Sequence, residues 1–207
     1  CNLGISLLAQ EQPASAIHPL QKSLEIKPDF VCAHIAMGDA LLANNQPIEG
    51  LEYLKTALAL EPENFELAAN IGNLFFQLGN NREAIQYQTR ALILEPENPE
   101  LHYAIGNSYA ASGDTDNAIK YFEKTISLAP EFGLAYNNLG SLLHTRKEYY
   151  KALPYLENAV QLLPDYSTGW TNLANAYKSL LDLKKACECY EHAIKLDHGN
   201  IPALSNY

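Results

Sequence analysis

The sequence predicts an all-α fold, an α-solenoid superhelix of antiparallel helix pairs in about six units of 34 residues. The first observation is a proline that recurs every 34 residues, at Pro28, Pro62, Pro96, Pro130 and Pro164. The second is a column of small residues with the same period, at Gly4, Gly38, Gly72, Gly106, Gly140 and Ala174. The third is the three- and four-residue spacing of apolar side chains, which is typical of helices and not of strands.

The stretch 65–96 shows the predicted elements of one unit in order. Its first helix covers 65–78, with apolar residues at Leu67, Ala68, Ile71, Leu74, Phe75 and Leu78. Gly79-Asn80-Asn81 follows, and Gly and Asn tolerate the positive φ that ends many helices. The second helix covers 83–94, and Pro96 disfavours helical geometry at Glu95. Each unit is therefore a helix, a short turn, a second helix and a stop.

Small residues recur on both helices of a unit, and we expect them where the helices approach most closely. In the third unit these residues are Gly72 and Ala84. A leucine at either position should overpack the crossing and cost roughly 1–3 kcal/mol.

The recurring columns resemble the tetratricopeptide repeat. The fourth unit shows the pattern most fully, with Ile105-Gly106, Tyr109, Ala118, Phe122 and Pro130. The sixth departs from it, with Ala174 for glycine and His198 for proline. The resemblance implies one array over 1–207, with repeats that end near residues 30, 64, 98, 132, 166 and 200 and the start of a seventh at 201–207. It says little about the partner, since the family binds many partners on one scaffold.

The ends of the chain fall inside repeats, because residue 1 lies within a first helix and 201–207 is half of another. We therefore expect a fragment of a longer protein that frays or self-associates end to end when isolated. No apolar run approaches the roughly 18 residues that span a bilayer, so membrane insertion is not expected. The four cysteines, Cys187 and Cys189 among them, are interpreted as buried or half-buried thiols, which suits a cytoplasmic location.

Charge and motif content exclude several functions. The net charge is −10, which argues against nucleic acid as a partner because phosphate binding needs clustered Lys and Arg. Cys187 and Cys189 point to different sides of a predicted helix, so no metal site is expected. No Gly-rich phosphate loop or histidine-based triad is visible, and we expect neither a cofactor nor an active site within this stretch.

Two columns of polar residues frame the small column of the first helices. One lies two residues before it and contains Asn70, Asn138, Asn172 and Asn206; the other lies one residue after it and contains Asn73, Asn107 and Asn175. Both columns share one helix face because they are three residues apart. We predict that these amides hold the main chain of an extended peptide, since each offers one acceptor and two donors. The alternative is that they bond neighbouring repeats and fix the stack.

Further candidates on the same face are Phe76, Tyr103, His144 and Lys178. Aromatic side chains there could anchor a partner, or Phe76 and Tyr103 could pack against the next repeat. Repeats that grip carboxylates combine asparagine with Lys or Arg. Here the residue before the first amide column is never basic, so that use is not expected.

The amides of the first column, at Asn70, Asn138, Asn172 and Asn206, look like the asparagine ladder of O-linked N-acetylglucosamine transferases, although Ala36 and Ala104 interrupt it. Three functions follow. The first is a non-enzymatic scaffold that binds a protein or peptide segment in a concave groove. The second is the substrate-recruiting arm of a larger enzyme such as a glycosyltransferase, which the full reading frame would test. The third is a self-assembling structural array.

Overall fold

The computed structural model describes residues 1–206, and this range contains thirteen α-helices and no strand. The helices form two compact units, one from Cys1 to Pro96 and one from Glu97 to the end of the described residues. We call them unit 1 and unit 2 and describe each by itself; each of them contains several of the 34-residue repeats.

Unit 1 consists of three helix hairpins. They are α1 (Asn2–Ala9) with α2 (Pro13–Ile26), α3 (Val31–Ala43) with α4 (Pro47–Leu60), and α5 (Phe65–Gln77) with α6 (Asn81–Leu94). Each second helix also packs on the next first helix, α2 on α3 and α4 on α5, and α1 contacts α3. The boundaries predicted for the third hairpin agree with the structure to within two residues.

Unit 2 repeats this arrangement. Its helices are α7 (Pro99–Ser112) with α8 (Thr115–Leu128), α9 (Gly133–Thr145) with α10 (Tyr149–Leu162), α11 (Ser167–Ser179) with α12 (Leu183–Leu196), and the short α13 (Ile201–Asn206). The first helix α11 contacts both α9 and α13. Within both units the prediction of an all-α fold made of consecutive helix pairs is confirmed. Across residues 1–206, no helix has the length and hydropathy needed to cross a bilayer.

The turn inside each hairpin has one residue of positive φ, again with a 34-residue period. Its φ lies between 58° and 85°, and the positions are Glu11, Asn45, Gly79, Gly113, Lys147 and Leu181. The predicted positive φ after α5 is confirmed at Gly79, with a φ of 78°. Glycine occupies only two of the six positions, so four hairpins accept a side chain in the left-handed region that favours glycine.

The small column lies where the two helices of a hairpin meet, as predicted. A Cβ atom on Gly72 would lie 2.6 Å from Cγ of Gln88 and 3.1 Å from the carbonyl oxygen of Ala84. A Cβ atom on Gly106 would lie 2.7 Å from Cε1 of Phe122, which is fully buried. The side chain sixteen residues further along therefore fills the space that each glycine leaves.

Candidate functional site

The first helices of unit 1 form an apolar groove along α1, α3 and α5, which we call the unit 1 groove. Its first cavity has a volume of about 630 Å³, and its walls include Ile5, Leu8, Val31, Ile35, Asp39 and Glu61. Its second cavity has a volume of about 350 Å³, and its walls include Ile35, Asp39, Leu67, Asn70, Asn73 and Leu74. Because the two cavities share Ile35 and Asp39, they form one continuous surface.

Asp39 gives this groove its electrostatic character. The side chain is reached by water, yet the surrounding protein removes part of its hydration and raises the pKa of the carboxyl above its usual value. The helices α1, α3 and α5 contain no Lys or Arg, and their two acidic residues are Asp39 and Glu66. The groove therefore combines an apolar wall with negative charge.

The predicted amides of unit 1 lie in the second cavity of this groove. Asn70 and Asn73 are both exposed. The Oδ1 atom of Asn73 accepts a hydrogen bond of 3.1 Å from Nε2 of Gln88. The side chain of Asn70 makes no hydrogen bond to any residue in 1–206, so its amide is open to a ligand. Phe76 is 36% exposed near the end of α5.

The predicted amides of unit 2 bond to one another. Nδ2 of Asn138 on α9 donates to Oδ1 of Asn107 at 2.9 Å and to the Tyr103 hydroxyl at 3.1 Å, both on α7. Nδ2 of Asn137 donates to Oδ1 of Asn138 at 3.1 Å. Nδ2 of Asn172 on α11 donates to Oδ1 of Asn137 at 3.0 Å. One hydrogen-bonded chain thus joins three first helices, which supports the alternative in which the amides fix the stack.

The remaining amides of unit 2 follow the same pattern. Oδ1 of Asn175 accepts from the Tyr190 hydroxyl at 2.6 Å and from Nδ2 of Asn206 at 3.4 Å. The ring of Tyr103 lies 4.9 Å from that of Phe132 and 5.7 Å from that of Phe122, measured between centroids. Tyr103 therefore packs between repeats.

His144 lies at the end of α9 beside the neighbouring repeat. Its Nε2 is 2.9 Å from Oγ of Ser179, and its ring centroid is 5.1 Å from that of Tyr149. Nζ of Lys178 donates to the backbone oxygen of Asn206 at 2.9 Å. Within residues 1–206, no three His, Cys, Asp or Glu side chains come together as metal ligands would.

Two buried polar residues that make hydrogen bonds between helices of unit 2 were missed by sequence reasoning. Asn137 is only 3% exposed, and it bridges Asn138 and Asn172. Nδ2 of the buried Asn200 donates to Oγ of Ser167 and Oγ1 of Thr171. A signal for Asn137 was available, because the equivalent positions of other repeats are mostly apolar or aromatic.

Sequence reasoning did not single out Asp39, although it is the one charged residue in a column that otherwise contains Ile5, Ser141 and three asparagines. The expectation that the cysteines are buried or half-buried is wrong for Cys32 and Cys187, which are both exposed. Cys187 lies on the outer side of α12, while Cys189 faces the core. Burial raises the pKa of the Cys189 thiol to about 11.

Comparison with known proteins agrees with this architecture. A family model described as Tetratricopeptide repeat matches residues 35–99 and 103–167, and a second model of the same description matches 167–200. A search of curated protein sequences finds no significant match.

Solved structures give the same result. MamA from Desulfovibrio magneticus RS-1 is 30% identical over 67% of this chain and 78% of its own, with a TM-score of 0.63. PilF of Pseudomonas aeruginosa is 23% identical over 99% of this chain and 93% of its own, with a TM-score of 0.78. YrrB, described as a TPR protein with an unusual peptide-binding site, is 20% identical over 90% of this chain and 96% of its own, with a TM-score of 0.71. The chain belongs to the tetratricopeptide repeat family.

Proposed function

We propose that this chain is a scaffold that binds a segment of a partner protein in the unit 1 groove and has no catalytic role of its own. The observation that carries the proposal is the pair of cavities that share Ile35 and Asp39. A recessed, largely apolar surface with a few polar groups is the usual form of a binding site. Apolar side chains of the partner would fill the first cavity, where Ile5 and Leu8 form part of the wall.

The amides of Asn70 and Asn73 would bind the partner's main chain in the second cavity. Both side chains are exposed there, and Asn70 has its donors and acceptor open to a ligand. The exposed ring of Phe76 is a third proposed contact.

The predicted partner contacts of unit 2 stay predictions. They are Tyr103, Asn107, Asn138, His144, Asn172, Asn175 and Asn206. A partner that used these side chains would have to share or replace the hydrogen bonds they already make. This requirement favours unit 1 as the place where binding begins.

The repeat family supports a protein or peptide as the partner, since its members are generally scaffolds without catalysis. YrrB, which is similar in fold, is described as having a peptide-binding site. The net charge of −10 makes nucleic acid a poor partner, because phosphate binding needs a basic surface. A cytoplasmic location is part of the proposal, and the interpretation of the four cysteines as thiols supports it.

The test is a selection of random peptides of about 12 residues on the purified chain, long enough for about three helical turns. Selected peptides are then titrated by fluorescence anisotropy against two variants. Ile5→Glu places a carboxylate in the first cavity at a residue that is 40% exposed, so folding should tolerate it. Ile93→Glu is the matched control, at a residue of α6 that is 75% exposed and does not line the groove.

We expect Ile5→Glu to weaken binding at least about tenfold, because a buried apolar contact is replaced by a charge that resists desolvation. Ile93→Glu should leave the affinity within about twofold, as a surface change away from the site does. Circular dichroism confirms that both variants fold. Equal binding by the wild type and Ile5→Glu contradicts the proposal.

A further inference from the structure

Asp39 lies at the junction of the two cavities in the unit 1 groove, among side chains that cannot neutralise it. Ile35 lines both cavities with it, and Leu8 and Leu74 line one each. Neither cavity has a Lys, Arg or His among the residues of 1–206 that line it. Water reaches this carboxylate, but the surrounding protein removes part of its hydration and so raises its pKa. A cation that binds there would therefore supply the favourable electrostatic interaction that this carboxylate lacks.

None of the basic residues of unit 1 lines either cavity of the groove. They stand on second helices or in a turn between repeats, at Lys22, Lys27, Lys55, Arg82 and Arg90. Two of them are already engaged, because Lys55 pairs with Glu52 and Arg90 donates to the carbonyl oxygen of Pro62.

Unit 1 as a whole is acidic. It has eleven Asp and Glu against five Lys and Arg, a net charge of −6. A second carboxylate, that of Glu61, lines the first cavity near the end of α4. The walls of the groove within residues 1–206 therefore contain two carboxylates and no basic side chain, and such a surface attracts cationic partners and repels acidic ones.

We infer that the occupant of the unit 1 groove is a segment of another protein in which one Lys or Arg is flanked by apolar side chains, with the cation paired to Asp39. The inference rests on the proposed function and names the chemistry of its partner. The apolar residues fill the first cavity, beside Ile5 and Leu8, while the cation reaches the shared wall. A purely apolar segment would cover Asp39 without a partner, and an acidic one would add repulsion, so the groove discriminates against both.

The test uses the purified chain and repeats the peptide selection on the wild type, Asp39→Asn, Asp39→Lys and Glu25→Gln. Glu25 lies on α2, is exposed and lines neither cavity, so its substitution matches the change in charge without touching the groove. Each peptide selected on the wild type is also made with its Lys or Arg replaced by norleucine.

Peptides selected on the wild type should contain a single Lys or Arg among apolar residues. Asp39→Asn should weaken them by about fivefold, the size expected for one partly exposed ion pair. On the wild type, the norleucine peptide should bind more weakly than its parent by the same factor. On Asp39→Asn, the two peptides should bind almost equally, because either change alone already removes the ion pair. Asp39→Lys should select peptides with Glu or Asp instead, and Glu25→Gln should behave as the wild type.

Several results overturn the inference. If selected peptides lack a cation, or if Asp39→Asn binds them as well as the wild type while Ile5→Glu does not, the groove binds apolar segments without reading charge. If Ile5→Glu binds normally, the proposed function fails as well. If the wild type self-associates in light scattering and Asp39→Asn does not, the occupant is a second copy of this chain.

Discussion

Replacing Asn138 with alanine removes three hydrogen bonds in one step and tests the structural role of the amides in unit 2. The lost bonds join its Nδ2 to Asn107 and Tyr103, and its Oδ1 to Nδ2 of Asn137. Each such bond contributes a net stabilisation of about 1 kcal/mol. Asn138 is half-buried, so water can replace part of what is lost. We therefore expect the free energy of unfolding to fall by about 2 kcal/mol.

Asn70→Ala is the matched control, because Asn70 occupies the same position two repeats earlier. Its side chain is exposed and makes no hydrogen bond within residues 1–206. Alanine favours the helix more than asparagine by up to about 0.7 kcal/mol, and this gain is the same in both variants. The difference between the two variants therefore isolates the hydrogen bonds.

Urea unfolding followed by circular dichroism measures the effect. Because repeat arrays can depart from two-state unfolding, amide hydrogen exchange provides a local measurement as well. Asn138→Ala should accelerate exchange in α7 and α9, and Asn70→Ala should leave α3 and α5 near the wild-type rates. If the two variants lose equal stability, the hydrogen bonds of Asn138 do not hold unit 2 together and the reasoning fails.

Three further predictions concern packing, backbone strain and pH. Gly106→Leu should lower the unfolding free energy by roughly 1–3 kcal/mol in urea titrations, because even a Cβ would lie 2.7 Å from Phe122. Leu181→Gly should raise it by about 1 kcal/mol in the same assay, since Leu181 has a φ of 64° and an exposed side chain that loses little packing. Burial raises the pKa of the Cys189 thiol from 9.0 to about 11, so its protonated form stabilises the fold below pH 9 and that contribution disappears as the pH rises through about 11. Urea titrations of the wild type and of Cys189→Ala across that range should show the free energy of unfolding of the wild type falling relative to that of the variant.

Each of these predictions has a plain contrary outcome. Wild-type stability in Gly106→Leu would mean that the two helices of that hairpin can separate without loss. A destabilised Leu181→Gly would mean that the side chain packs despite its exposure. An unchanged difference between the wild type and Cys189→Ala from pH 9 to about 11 would show that the thiol does not resist ionisation.

Much of the fold could be predicted from the sequence because the determining interactions lie within one repeat. The hairpin of α5 and α6, the positive φ at Gly79 and the close approach at Gly72 each depend on residues fewer than twenty positions apart. The 34-residue period repeats the same local interactions, so the same helix pair forms in every repeat. The candidate site was less predictable. The sequence indicated which residues share a helix face, and that face is where the groove and the amides of both units lie.

The sequence by itself determined the helix pairs, their turns and the columns of polar residues, and the tertiary structure decided what those residues do. Asn70 and Asn138 sit in nearly identical segments, Asn-Ile-Gly and Asn-Leu-Gly. Asn138 is bonded to Tyr103 and Asn107, while the residues equivalent to these two before Asn70 are Ile35 and Asp39, which line an open cavity with it. The physical reason is distance along the chain: the residues of the preceding first helix, which bond Asn138 but leave Asn70 open, are more than thirty positions away, and only the packing of one repeat on the next brings them together.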